Sequence, residues 1–207
     1  MIKIYRLLIF LQFFGLGCAP NVVVENSVIQ KVDSLDMNIF SKNGDKIYSI
    51  TSPNSYYNIN EQIFDLKKPT INIFNGEETK YIISSEESSL SNNNKLVKLK
   101  GNVKLKATKQ DGDILYADNF IWNTEETNYL LKGNIRFENQ NIILNSSKAQ
   151  LGSNNIIEFF NPVKYIIKNE NNEKIYEINS ENAFYNLDTE SVSFKAKNKR
   201  VNSIIYF

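Results

Sequence analysis

The sequence of 207 residues contains no histidine and a single cysteine, Cys18. The first absence removes the commonest general base and the commonest metal ligand. The second excludes an intrachain disulfide and a thiolate metal cluster. Carboxylates alone remain for acid–base work, so a two-carboxylate enzyme acting on glycans is the one catalytic class left open. Its nearest acidic cluster, Asp111, Asp113 and Asp118, reads as an ordinary turn around Asp111-Gly-Asp113. No Gly-x4-Gly-Lys-Ser/Thr phosphate loop is present. A surplus of either charge is lacking too. There are 24 basic and 23 acidic residues, and removing Lys3 and Arg6 with a leader gives +1 − 2 = −1. Nucleic acid is therefore not an expected partner. The chain is read as a non-enzyme without cofactor or metal.

The N-terminus has the layout of an address. Met1 to Arg6 is a short basic region, and Leu7 to Leu16 is an apolar run broken only by Gln12 and Gly15. Gly15-Leu16-Gly17-Cys18-Ala19-Pro20 follows, with small residues ahead of the lone cysteine. The apolar run is short for a membrane span of about 20 residues and suits a secretory signal. The segment resembles a bacterial lipobox, in which Cys18 is the lipid attachment point, although Gly15 stands where that motif usually has an aliphatic residue. An uncleaved anchor over Ile2 to Pro20, or plain cleavage near Gly17, are the alternatives. Residues 1–17 are thus expected to be a signal or anchor segment. Residues 18–34 are expected to be a tether or a first edge strand, and residues 35–207 the folded domain.

No stretch sustains a period of 3.6, and from about Leu35 apolar and polar residues alternate between Asn, Gly, Asp and Ser clusters. A short pattern, aliphatic-x-(Ser/Ala)-x-x-small, recurs five times. Its copies start at Ile50, Ile83, Leu115, Leu144 and Ile178, with Ser52, Ser85, Ala117, Ser146 and Ser180 at the third position. Seven residues after each start lies a large apolar residue: Tyr57, Leu90, Trp122, Leu151 and Tyr185. A second strand then ends at Leu66, Leu99, Leu131, Phe159 and Phe194. After the first four of these the chain turns a corner at Pro69, Gly101, Gly133 or Pro162. Units of this size cannot bury their own apolar faces, so stacked neighbours must make the core. The cations Lys195, Lys197, Lys199 and Arg200 read as a charged stop after the last unit.

Period-two alternation places Val103, Leu105 and Ala107 on one face and Lys104, Lys106 and Thr108 on the other. Ile135 and Phe137 alternate with Asn134, Arg136 and Glu138, and Val163, Tyr165 and Ile167 with Lys164, Ile166 and Lys168. Two sheets facing each other would cover the apolar side. Their interior is either filled by side chains or partly open to an apolar ligand. In the second case the small (Ser/Ala) positions would leave room and the aromatic positions would line it.

The runs Phe64-Asp-Leu66-Lys-Lys-Pro69-Thr-Ile71, Leu96-Val-Lys-Leu99-Lys-Gly101-Asn-Val103-Lys-Leu105 and Asp113-Ile-Leu115-Tyr-Ala117-Asp118 resemble the repeats of the LptC/LptA (OstA-like) lipopolysaccharide-export proteins. Those repeats read L-x-G-(N/D)-V followed by L-x-(A/T)-(D/E). The resemblance implies an all-β, open-ended twisted β-jelly roll of about five repeats, each of roughly three antiparallel strands. It also implies lipopolysaccharide transport across the periplasm by a domain tethered to the inner membrane. The expected partners are lipopolysaccharide acyl chains, an inner-membrane ABC transporter, and a next bridge protein met by edge-strand pairing. A soluble bridge of the LptA type, or a structural or adhesive repeat with a dry core, are the alternatives. The expected lining of the lipid groove is Tyr57, Leu99, Val103, Leu105, Leu115, Trp122, Tyr129, Leu131, Ile135, Phe137, Phe159, Val163, Tyr165 and Phe194.

Overall fold

A computed structural model describes residues 28–109, 112–126, 128–160, 162–196 and 200–206. The leader, Cys18 and the start of the expected tether lie outside the described residues, as do Asp111, Lys197 and Lys199.

Among the described residues all regular structure is β, in sixteen strands joined by antiparallel pairings. Six strands are long: β1 (Ile29–Phe40), β2 (Lys46–Asn58), β7 (Leu96–Ala107), β8 (Ile114–Asn123), β9 (Tyr129–Asn139) and β10 (Ile142–Leu151). Ten are short. These are β3 (Ile63–Lys67), β4 (Thr70–Asn75), β5 (Glu78–Ser84), β6 (Glu87–Ser91), β11 (Ile156–Phe160), β12 (Val163–Lys168), β13 (Lys174–Ser180), β14 (Asn182–Asn186), β15 (Ser191–Lys195) and β16 (Asn202–Ile205). β-Branched and aromatic residues at every second position favour this geometry. β1 opens at Ile29, so residues 29–34 form strand, the edge-strand alternative for that segment, and the folded domain extends N-terminal to residue 35.

The register separates two layers that share the long strands. In the first layer the order is β1, β2, β3, β6, β7, β8, β9, β10, β11, β14, β15. In the second it is β1, β2, β4, β5, β7, β8, β9, β10, β12, β13, β16. Each long strand gives one half to each layer and bends between them. This is an open-ended β-jelly roll: β1 forms one end, and β15 and β16 the other. The chain does not stop at the cationic segment after β15, as expected; it returns to the second layer, where β16 pairs with β13.

The bends fall on the repeated motif. Pairing shifts at Lys100/Val103 in β7, at Tyr116/Asn119 in β8 and at Ser146/Lys148 in β10. Gly101 and Asn102, and likewise Gly133 and Asn134, take positive φ in succession, which lets a strand change layers without breaking. A side chain at Gly101 would collide with the Glu86 carboxylate, and one at Gly133 with Asp118.

The third motif position has a different task from the one expected. The Ser52, Ser85, Ser146 and Ser180 hydroxyls donate to the carbonyls of Asn54, Glu87, Lys148 and Asn182, at 2.8, 2.8, 2.8 and 3.0 Å. Each serine therefore ties its bend together through a hydrogen bond to the carbonyl two residues on. These residues close the corner, and a concavity of about 860 Å³ lies beside Ser146 and Ser180. In the middle copy Ala117 lacks the hydroxyl, and Asn134 donates to Asp118 at 2.8 Å across the same bend.

Candidate functional site: the interior between the layers

Alternation aims one apolar set from each layer inward, where the sets meet as one continuous core. Of the expected lining, Leu99, Val103, Leu105, Leu115, Trp122, Tyr129, Leu131, Ile135, Phe137, Phe159, Val163 and Tyr165 are all buried there. Tyr57 and Phe194 are half-buried at opposite ends of the roll. Tyr57 stacks on Phe64 at 4.3 Å, and Phe194 meets Tyr165 edge-on at 5.3 Å. Contacts between the layers include Tyr48 with Trp122 at 5.2 Å and Phe137 with Tyr185 at 4.4 Å. The site is thus assembled, and side chains fill its middle.

Opposite the corner the two layers face each other through their turns, and polar contacts lace this mouth. The Tyr48 hydroxyl donates to the Asn94 carbonyl at 2.8 Å. The Tyr81 hydroxyl donates to Asn155 Oδ1 at 3.3 Å, and Asn139 Nδ2 donates to the Tyr185 hydroxyl at 2.9 Å. Asn155 in turn donates to the Asp188 carboxylate at 2.9 Å. Burial pushes the phenols of Tyr48, Tyr81 and Tyr185 up, so they stay protonated and remain donors. Beside Tyr81 a void of about 50 Å³ remains, lined by Lys80, Ala107, Asn155, Leu187 and Asp188 among others. A drug-sized ligand needs roughly 300–1,000 Å³, so a large apolar guest must displace side chains or part the layers.

Sequence reasoning missed the lacing tyrosines Tyr48 and Tyr81, and Tyr185 was noted only for its bulk. Their signal was position, since each sits on an inward strand position near a turn. It also read Asp111-Gly-Asp113 only as an ordinary turn. Asp113 is 2% exposed, and both of its carboxylate oxygens lack a hydrogen-bond partner. Burial first, then the charge of Glu190, pushes its carboxyl up from 3.8 to about 6, with Asn139 acting in the opposite direction.

The ends differ from the mouth. Half-buried Leu35, Met37 and Ile39 of β1 cap the interior at one end, and Tyr176, Val192 and Phe194 do so at the other. Among the described residues each terminal strand is paired on one side only: β1 with β2, β15 with β14, and β16 with β13. Large apolar side chains stand exposed there, including Ile29 and Phe40 at the first end and Ile204, Ile205 and Tyr206 at the second.

Among the described residues the chain is thus a two-layer β roll with a continuous apolar interior and an open strand edge at each end. The family model described as "Lipopolysaccharide-assembly, LptC-related" matches residues 8–149. The chain belongs to this family, whose members are periplasmic and serve lipopolysaccharide transport, and it is not an enzyme. Among solved structures it is similar to LptH, the LptA homologous periplasmic component of the conserved lipopolysaccharide transport device from Pseudomonas aeruginosa. That similarity has 12% identity and a TM-score of 0.49, and it covers 61% of this chain and 94% of the other. Among curated proteins none matches.

Proposed function

We propose that the domain is a membrane-tethered lipopolysaccharide carrier that holds acyl chains between its layers and passes them to a neighbouring roll. The supporting observation is the apolar interior running from β1 to β15 and β16, with one strand edge open at each end among the described residues. Acyl chains cannot cross an aqueous compartment unshielded, since each exposed CH₂ costs about 0.8 kcal/mol. Lipid enters by parting the layers at the laced mouth, and the buried lining residues then exchange packing against each other for packing against the chains. Edge pairing by β1 joins the domain to the inner-membrane ABC transporter, and edge pairing by β16 joins it to the next bridge. ATP hydrolysis in the transporter supplies the driving energy. Cys18, or an uncleaved leader, tethers the domain to the inner membrane.

A filled interior by itself would also suit a structural repeat with a dry core, but membership in a lipopolysaccharide-assembly family weighs against that reading. Photo-crosslinking residues placed at Val103, Tyr129 and Phe159 separate the two. Lipopolysaccharide adducts at these interior positions that depend on ATP turnover are the expected result. Absence of adducts at all three while the transporter is active would overturn carriage between the layers. Replacing Cys18 by Ala tests the tether: release from the membrane fraction is expected of a lipid anchor, and retention assigns the tether to the leader.

A further inference from the structure

The outer face of the first layer presents a cationic groove that lipid carriage between the layers does not require. The register lines up one outward residue per strand near the corner: Lys67, Glu87, Lys100, Asn119, Lys132, Lys148 and Phe160, on β3, β6, β7, β8, β9, β10 and β11. The next row holds Asp65, Ser89, Lys98, Ile121, Leu130, Gln150 and Glu158. From β7 to β10 these rows contain four lysines and no acid. Glu87 is the acid across from Lys100, and it is already paired with Lys67. Lys132 and Lys148 lie directly opposite each other, a like-charge pairing that costs stability. Lys148 turns to the Phe160 ring at 4.8 Å, so Lys132 is left facing the groove. A concavity of about 860 Å³ runs across this face, lined by Lys67, Lys98, Lys100, Lys132, Tyr56 and Ile121 among others.

We propose that this groove is a docking surface for the phosphate headgroups of an anionic bilayer. Charge complementarity selects the occupant, because exposed Lys98, Lys100 and Lys132 have no carboxylate paired with them among the described residues. Extent selects a surface over a single ion. From β3 to β9 is four inter-strand steps of about 4.8 Å, roughly 19 Å, which spans several headgroups and exceeds one phosphate. Composition agrees: Tyr56 and Ile29, beside the lysines, are 40% and 59% exposed, and aromatic and apolar side chains next to lysines suit a membrane interface. The groove is lined by four lysines against two acids, Asp65 and Glu87, a surplus that the near-zero net charge of the whole chain conceals. Docking here is independent of carriage inside the roll, so either can fail without the other.

The test is lysine acylation footprinting by mass spectrometry on the full chain, mixed with phosphatidylcholine vesicles with or without phosphatidylglycerol. The expected result is about threefold slower acylation of Lys98, Lys100 and Lys132 on the anionic vesicles, reversed by salt as screening requires. Lys46 and Lys164, on the outer face of the second layer, should keep their rates. Equal rates on both vesicle types, or protection spread over both layers, would overturn the proposal. So would equal protection by inorganic phosphate alone, or protection by lipopolysaccharide aggregates only. In the double variant Lys98→Glu/Lys100→Glu, protection of Lys132 should vanish. Lys132→Gln is the milder companion: it should lower protection of Lys98 and Lys100 while its melting temperature matches or exceeds that of the unsubstituted chain, since a like-charge pair has gone.

Discussion

Asp113 offers the sharpest test of the interior. Its carboxylate is 2% exposed and both oxygens lack hydrogen-bond partners, so ionisation at neutral pH places a charge that the Asn139 amide offsets only in part. A rise from 3.8 to about 6 is roughly two pKa units, or about 3 kcal/mol as an upper figure. The sign follows from linkage. The folded chain keeps a proton that the unfolded chain gives up, so this contribution to stability is complete below about pH 3.8 and is lost as pH rises through about 6. Asp113→Asn keeps the shape and removes the charge. It should unfold at higher urea than the parent at pH 7.5, with an advantage of up to about 3 kcal/mol. That advantage should shrink through pH 6 to 4 and disappear near pH 3.5. Urea titrations of both proteins across this range measure it, and subtracting one from the other removes every titration they share. An Asn variant less stable at pH 7.5, or an advantage independent of pH, would refute the assignment of a buried, unpartnered carboxylate.

Four further outcomes follow from the packing and the corners. Leu99, 1% exposed and facing inward, should not tolerate Leu99→Asp: a loss of roughly 4 kcal/mol or more in urea unfolding is expected, and unchanged stability would mean the facing is wrong. Ser146→Ala should cost about 1 kcal/mol by removing the hydrogen bond to the Lys148 carbonyl, while Ala117→Ser, which supplies the hydroxyl that the middle copy lacks, should recover a similar amount. Glu177, 5% exposed, is held down to about 2 by Lys174 foremost, with Asn179 and Lys164, against the cost of burial. A depressed carboxylate stabilises above its unfolded value and loses that contribution as pH falls through its folded value, so Glu177→Gln should destabilise by about 1–2 kcal/mol at pH 7 and by nothing near pH 2. Replacing Tyr48 and Tyr81 with Phe removes two mouth hydrogen bonds, and faster amide exchange in the turn around Asn94 and at Asn155 is the expected reading, with no change in β1 or β16.

The features legible in the sequence were those written in short-range chemistry. Alternation in Val103-Lys-Leu105-Lys-Ala107 fixed which residues face inward, because strand geometry sends successive side chains to opposite faces. Gly101 and Gly133 announced the bends, since a left-handed backbone favours glycine there. The features that were not legible depend on which strands meet. Nothing in Ser146-Ser-Lys148 states that the hydroxyl closes on a carbonyl of a bending strand, because small size and hydrogen-bonding capacity are the same residue read two ways. Asp113 looked like a turn residue because its burial comes from elements near Asn139, Tyr185 and Glu190, distant in sequence. β16 was lost for a related reason: a cationic stretch reads as a terminus, whereas here it precedes a return to the opposite layer.

The same distinction bears on how such a roll could both hold and release. Each long strand belongs to both layers, so the corner cannot open without breaking β7 to β10 in their middles, where Ser146 and the Asn134–Asp118 contact hold it. Among the described residues the mouth is joined by side-chain contacts, hydrogen bonds worth about 1 kcal/mol net each and the packing of the inward rings, and not by strands that run through it. Any separation of the layers must therefore begin at the Tyr48, Tyr81 and Tyr185 side and swing about the corner. A cleavable, disulfide-containing thiol crosslinker joining Lys42→Cys to Glu125→Cys, exposed turn residues whose charges meet across the mouth, should then abolish interior crosslinking at Tyr129 and restore it once the linker is reduced. The same linker between cysteines placed across the corner at Asp118 and Asn134 should leave crosslinking intact. Equal inhibition by both would place the hinge elsewhere.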